Sequence, residues 1–200
     1  PGYVPITAEE ELARLLPVLS LAKNISIPLS VDTLKAQTAQ AAINNGASIL
    51  NTVCDITENP QLAAVAAENG AGLIITHNRL IQGDTQQDIL HYFETALELC
   101  LRYNLNESRI CLDVGIGFAK NTAQSIAAVC AVPKVREFGC AVMLAHSRKR
   151  FIGELFEISD PTQRDTATAA ISALAASLGA DFLRVHNVSA TARTLKLLKG

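Results

Sequence analysis

The segment Ala145-His146-Ser147-Arg148-Lys149-Arg150-Phe151-Ile152-Gly153 follows an apolar run, Ala141 to Ala145, that reads as a buried strand. Folding alone poorly explains a strand that delivers a Ser and three successive cations. The segment points to a place where an anion or an electron-rich ring is held. Other strand-like runs also close on chemistry-capable residues: Asp32, Asn51, His77, Asp113 and the pair Arg184 and His186. A carboxylate such as Asp32 or Asp113 can accept two parallel N–H donors from a guanidine-like edge. With the amide of Asn51, these carboxylates form a recognition set for a planar, donor-rich heterocycle. Arg184 and His186 fall on one side of a strand, by its period of two. Near Ser147 they suit a diphosphate, which late-strand loops of a barrel often hold.

Each residue also has a plainer reading. Asp32 can equally cap the helix that follows Thr33-Leu34-Lys35. Capping explains Asp113 less well, because Val114-Gly115-Ile116-Gly117 does not start a helix at once. Asn51 alone is better explained as satisfying loop backbone. Lys149 alone would be a solvated lysine, but Arg148 and Arg150 on either side favour a functional role. Arg184 paired with a buried carboxylate is the weaker alternative. His77 reads as a packing or supporting residue and His91 as a surface one. His146, out of phase with Ser147, receives no role.

The elements that would position these residues alternate. Helices are expected from about Thr7 to Ala22, where Thr7-x-x-Glu10 is a capping box. Others are expected over Leu34–Asn44, Pro60–Glu68, Gln87–Tyr103, Thr122–Phe138, Pro161–Leu178 and Ala190–Leu198. Strands are expected over Ile27–Asp32, Ser48–Val53, Gly72–His77, Arg109–Val114, Ala141–Ser147 and Phe182–Asn187. Gly46, Gly70, Gly139 and Gly179 end helices, as left-handed C′ residues do. Asn59-Pro60 and Asp160-Pro161 pair a cap with an N1 proline. Apolar strands with helical crossovers imply a parallel sheet. No G-x-G-x-x-G follows the first strand, and Gly115-x-Gly117 runs on into Phe118-Ala119-Lys120, so the dinucleotide fingerprint fails. Polar residues at nearly every strand end favour a TIM (β/α)8 barrel over an open sheet.

Bulk properties fit one α/β domain over residues 1–200. The chain has 200 residues, 49% of them hydrophobic, and a net charge of −2, which argues against nucleic-acid and membrane-surface partners. No apolar run reaches the ~18 residues of a membrane span. The chain opens on Pro1, not Met, so a trimmed N-terminus is expected. Cys54, Cys100, Cys111, Cys130 and Cys140 are odd in number and form no C-x-x-C, which points to reduced thiols and a cytoplasmic protein. Only Cys54, just after a strand, invites attention as a reactive residue.

Ser30-Val31-Asp32-Thr33, Leu50-Asn51, Leu112-Asp113-Val114-Gly115-Ile116-Gly117-Phe118, Ser147-Arg148-Lys149-Arg150-Phe151-Ile152-Gly153 and Arg184-Val185-His186-Asn187 resemble the dihydropteroate synthase family of pterin-binding enzymes. The match keeps that family's order and approximate spacing across essentially the whole chain. The resemblance implies a pterin-binding barrel to which this chain supplies strands 3 to 8. It implies condensation of 6-hydroxymethyl-7,8-dihydropterin diphosphate with 4-aminobenzoate, giving 7,8-dihydropteroate and diphosphate for folate synthesis. Asp32, Asn51, Asp113 and Lys149 would hold the pterin, and Arg184 and His186 the diphosphate. Ser147, Arg148 and Lys149 would border the aminobenzoate, with Asp32, Lys149 and Arg184 closest to catalysis. A homodimer and Mg²⁺ bound with the diphosphate are also implied.

The departures are specific. The family's first two strands and its N-x-T-P-D-S-F-S loop have no counterpart, and Pro1-Gly2 matches the tail of the loop after the second strand. The Asn that helps bind Mg²⁺ lies in that first loop, so no metal ligand is expected in this chain. Val114 replaces a Pro, Ala119 a Gly and Thr52 an Asp. Thr76-His77-Asn78-Arg79-Leu80 replaces an M-H-M pattern. Two alternatives follow: a non-catalytic pterin-binding homologue and, less favoured, a pterin-dependent methyltransferase.

Overall fold

Strand Ser30–Asp32 (β1) is half as long as the apolar run that announces it. Pro28, with no N–H to give a ladder, explains the late start. The computed structural model describes residues 4–22 and 25–198, so the reading of Pro1-Gly2 lies outside the described residues. The chain divides into two compact units: residues up to Ile75 with Ala96–Ile110, and Thr76–Thr95 with the residues from Cys111 onward.

The first unit opens with α1 (Ala8–Ala22), where the Thr7 hydroxyl accepts from the Glu10 N–H at 3.2 Å. The Glu10 carboxylate pairs with Arg14 and leaves the capping box half made. Then come β1, α2 (Ala36–Asn44), β2 (Ile49–Thr52), α3 (Gln61–Asn69) and β3 (Gly72–Thr76). The strands are parallel, with Asp32 opposite Asn51 and Asn51 opposite Ile74. Leu19, Val31, Ala42 and Ala47 form a core cluster backed by Leu15 and Leu29. Burying each large aliphatic side chain contributes roughly 1.5–3 kcal/mol. Asn59 does not cap α3. Its amide donates to the Leu34 carbonyl at 2.6 Å, and Pro60 takes the cap position. Gly70 ends α3 as expected, at a left-handed φ of 61°.

Helix α4 (Thr85–Arg102) begins two residues early because Asp84 accepts from the N–H groups of Gln86 and Gln87. The second unit continues with β4 (Ile110–Asp113), α5 (Thr122–Cys130), α6 (Val132–Arg136), β5 (Ala141–Leu144), α7 (Arg150–Leu155), α8 (Asp165–Ser177), β6 (Phe182–Leu183) and α9 (Val188–Leu195). Its strands are also parallel: Asp113 faces Met143, and Met143 faces Phe182. Leu112, Val142 and Leu144 are fully buried.

Four expectations need correction here. The helix expected over Thr122–Phe138 breaks at Ala131, because Pro133 cannot supply the next helical N–H. Residues Pro161–Arg164 form a 3₁₀ turn capped by Asp160, and the α-helix starts only at Asp165. The last strand stops at Leu183, leaving Arg184 to His186 as a loop. Helix α7 was not expected at all. It starts directly after Lys149 and buries Phe151 and Ile152, so the apolar end of the Ser147 segment is a helix face.

Candidate active site

In the first unit, the parallel register of β1 and β2 sets two polar side chains together. The Asn51 amide nitrogen donates to Asp32 Oδ2 at 2.8 Å. Asn51 is buried and therefore serves a carboxylate, not loop backbone. Asp32 is exposed. It does not cap α2: the residue at that cap is Lys35, with no side-chain bond. Thr33, whose hydroxyl accepts from the Lys35 N–H at 3.2 Å, organises the turn instead. Cys54 is tied to Thr52, with its sulfur 2.9 Å from the Thr52 hydroxyl.

The second unit gathers the remaining candidates. Asp113 ends β4, 3% exposed, and accepts from the Gly115 N–H at 3.0 Å. Burial pushes its carboxyl pKa up. The Gly115 N–H and the charges of Lys149, Lys120 and Arg184 oppose that rise. Lys149 donates to the Ile116 carbonyl, and its ammonium lies 4.4 Å from the centre of the Phe118 ring. Burial lowers its pKa, Asp113 works against that, and Arg184 adds to it. One buried carboxylate is thus set in the field of three cations from the ends of β4, β5 and β6.

Ser147 and His186 come together as the sequence expected. The Ser147 oxygen accepts from the His186 N–H at 3.1 Å and lies 2.8 Å from His186 Nδ1. Arg184 and His186 are both exposed. Arg148 is held by a carboxylate. Its Nε and Nη2 donate to the two Asp165 oxygens at 2.7 and 2.8 Å, and Asn187 donates to Asp165 at 3.1 Å. Asp165 thereby ties the Ser147 loop to the loop carrying His186. Arg148 takes a left-handed φ of 59°, and its N–H donates to the Thr168 hydroxyl. Buried Arg164 donates to the carbonyls of Arg148, Ile158 and Ser159. Gly153 is required beneath it, since a Cβ there would lie 2.5 Å from Arg164 Cζ.

A pocket of about 180 Å³ lies among Gly117, Phe118, Lys149, Arg150, Phe151 and the first turn of α5. Of the three residues expected around the aminobenzoate, only Lys149 lines it. His146, given no role, is indeed structural: its Nε2 sits 3.1 Å from the Thr168 carbonyl and 3.0 Å from the Ser172 hydroxyl.

Residues 1–186 match the family described as pterin binding enzyme. The chain belongs to that family. Dihydropteroate synthase of Bacillus subtilis (strain 168) is 35% identical over 201 residues, covering 99% of this chain and 70% of that protein. The solved structure of Xanthomonas albilineans dihydropteroate synthase with 4-aminobenzoic acid matches with a TM-score of 0.94 at 32% identity, covering 100% of this chain and 74% of that one. The same enzyme in complex with 7,8-dihydropteroate matches with a TM-score of 0.92 at 31% identity, covering 97% and 76%. The fold class is therefore the α/β repeat of the TIM (β/α)8 barrel, as the strand-end pattern implied.

Within this pterin-binding chain, sequence reasoning missed Lys120, Asp165 and Arg164. Lys120 and Arg164 are long cations buried to 5% and 9% exposure, and nothing in their local spacing distinguishes them from surface residues. Asp165 reads in sequence as an ordinary first-turn acid of α8.

Proposed function

We propose that this chain condenses 6-hydroxymethyl-7,8-dihydropterin diphosphate with 4-aminobenzoate, releasing diphosphate and forming 7,8-dihydropteroate for folate synthesis. The observation that carries this reading is the buried Asp113 carboxylate in the electrostatic field of Lys149, Lys120 and Arg184. Family membership and the dihydropteroate synthases it resembles supply the reaction.

The chemistry divides between two tasks. The pterin C–O bond breaks, and its electron pair leaves on the diphosphate. The amine lone pair of aminobenzoate then forms the C–N bond, and a proton is released from that nitrogen. Arg184 and His186 hold the departing anion, where preorganised donors are most effective. Asp113 accepts from the donor edge of the pterin, and its negative charge stabilises the methylene cation. Lys149 donates to the ring. In the first unit, the Asp32 carboxylate and the Asn51 amide present an acceptor and an acceptor–donor group of the kind a pterin pairs with. The pocket between Phe118 and Lys149 is the seat for the aromatic amine, with Lys149 drawing its carboxylate. Arg148 acts indirectly, by fixing the backbone on which Ser147 and Lys149 stand.

Among the described residues no group of three or more His, Cys, Asp or Glu is placed to hold a metal ion. No step is routed through Mg²⁺. The proposal extends to one barrel domain over residues 1–200 in a cytoplasmic homodimer, for which exposed Leu174 on α8 and Val188 on α9 supply apolar surface. Among the described residues no helix is long and apolar enough to cross a membrane.

Incubation with both substrates separates this reading from its alternatives. Formation of 7,8-dihydropteroate is the expected result. Tight pterin binding without product would identify a non-catalytic homologue and overturn the proposal.

A further inference from the structure

We infer that Lys120 is a positioning residue of the pterin site, holding the turn that carries Asp113 and Phe118 in place only while its amine is protonated. The inference rests on the pterin reading of Asp113 and deepens it.

Lys120 is 5% exposed, and its ammonium group faces three acceptors: His77 Nδ1 at 2.8 Å, the His77 carbonyl at 2.9 Å and the Phe118 carbonyl at 3.2 Å. An ammonium has three protons and no lone pair, so three acceptors satisfy it fully. A neutral amine has two protons and would turn a lone pair towards one of those acceptors.

The rest of the network fixes which proton sits where. With Nδ1 accepting from Lys120, His77 carries its proton on Nε2 and donates to Asp88 Oδ2 at 3.0 Å. Asp88 Oδ1 in turn accepts from Arg79 at 3.2 Å. Burial, reinforced by the Lys120 charge, lowers the His77 pKa to about 4, so the ring stays neutral through the physiological range.

The same lysine closes the turn after β4. The His77 N–H donates to the Asp113 carbonyl at 2.9 Å, and Gly115 passes so close that a Cβ would lie 2.0 Å from the His77 carbonyl. Gly115 also adopts φ 70°, so this tight passage admits only glycine. Lys120 then pulls the far end of the turn, at Phe118, back onto His77. One cation therefore sets the position of the buried carboxylate and of the ring beneath Lys149.

The charged groups facing Lys120 are Asp113 from β4, Asp88 from α4 and Lys149 from the loop after β5, with neutral His77 from the end of β3. Burial lowers its pKa to about 8, against the pull of Asp113 and Asp88. Between pH 8 and 10.5 the unfolded chain binds the Lys120 proton and the folded chain has lost it, so this group makes the fold more stable as pH rises. Loss of function above pH 8 through Lys120 is therefore opposite in sign to any loss of folding from the same group.

The test uses the full chain. Without substrate, the backbone amide signals of Gly115, Gly117 and Phe118 are followed by NMR from pH 6.5 to 10, beside kcat/KM for the pterin diphosphate over the same range. Both should titrate near pH 8. Asp88→Asn removes one carboxylate charge behind the imidazole and should move both midpoints down by about one pH unit. Lys120→Met should abolish the amide titration and lower kcat/KM roughly 100-fold, as misplacement of a site by about 1 Å does. Amide signals that stay flat through pH 8, or midpoints that ignore Asp88→Asn, would overturn the inference even if Lys120→Met fails to fold. A wild-type chain that makes no product while its turn titrates with Lys120 would sink the catalytic reading and leave the positioning role standing.

Discussion

Asp165 offers the sharpest perturbation of the candidate site, because it touches no expected substrate group yet joins two loops that do. Arg148 sits at φ 59°, a left-handed conformation that costs an L residue roughly 1–2 kcal/mol. Its two hydrogen bonds to Asp165 join side chains 30% and 23% exposed. A pair at this exposure contributes about 1 kcal/mol, and the Asn187 bond adds about 0.5–1 kcal/mol. Asp165→Ala therefore removes about 1.5–2 kcal/mol, comparable to the cost of the backbone it restrains. Urea denaturation should show that loss, and KM for the pterin diphosphate should rise roughly 10-fold as Lys149 and His186 lose their common support. Glycine takes a positive φ freely, so Arg148→Gly with Asp165→Ala should destabilise by less than the sum of the two single changes. The acid limb gives a further check. Arg148 and Asn187 hold the Asp165 carboxyl down at about 2, against an ordinary value of 3.8. This contribution is complete above about pH 4 and is lost as pH falls from there through 2, so the stability gap between wild type and Asp165→Ala should close in that window. Additive stability losses with unchanged KM would refute the coupling.

Lys149→Ala should weaken pterin binding by about 1.5–3 kcal/mol, and it should also cost some stability, because the ammonium already bonds Ile116 and covers Phe118. Binding titration beside thermal melting separates the two effects. Arg184→Ala should weaken affinity for the pterin diphosphate by roughly 1.5–3 kcal/mol while leaving the affinity for a pterin without phosphates unchanged, as a charge-assisted contact would. Gly153→Ala forces a methyl group to within 2.5 Å of Arg164 Cζ and 2.7 Å of the Ile158 carbonyl. It should destabilise the fold by about 1–3 kcal/mol in chemical denaturation.

The alternation of strands and helices was legible because apolar runs, glycine stops and polar strand ends are local signals. Element ends were less so. Pro133 breaks a helix whose hydrophobic pattern continues past it, and β6 stops at Leu183 although the alternation of Arg184, Val185 and His186 suggested more. Side-chain partners were less legible still: Asn51, expected on its own to satisfy loop backbone, donates instead to Asp32 across the sheet. Partners distant in sequence left no local signal at all. The family resemblance placed Arg148 beside the aminobenzoate, and its pairing with a carboxylate was not foreseen. Its partner Asp165 lies 17 residues away, and only the left-handed backbone turns the guanidinium towards it. Lys120 was passed over for the same reason, since His77 is 43 residues distant.

The central claim is that this chain forms a carbon–nitrogen bond by displacing diphosphate. The most direct measurement supplies 4-aminobenzoate labelled with ¹⁵N at the amine and follows product mass and diphosphate release together. Labelled 7,8-dihydropteroate and diphosphate should appear in equal amounts. Diphosphate released without labelled product would show hydrolysis in place of transfer, and neither product would contradict the account outright.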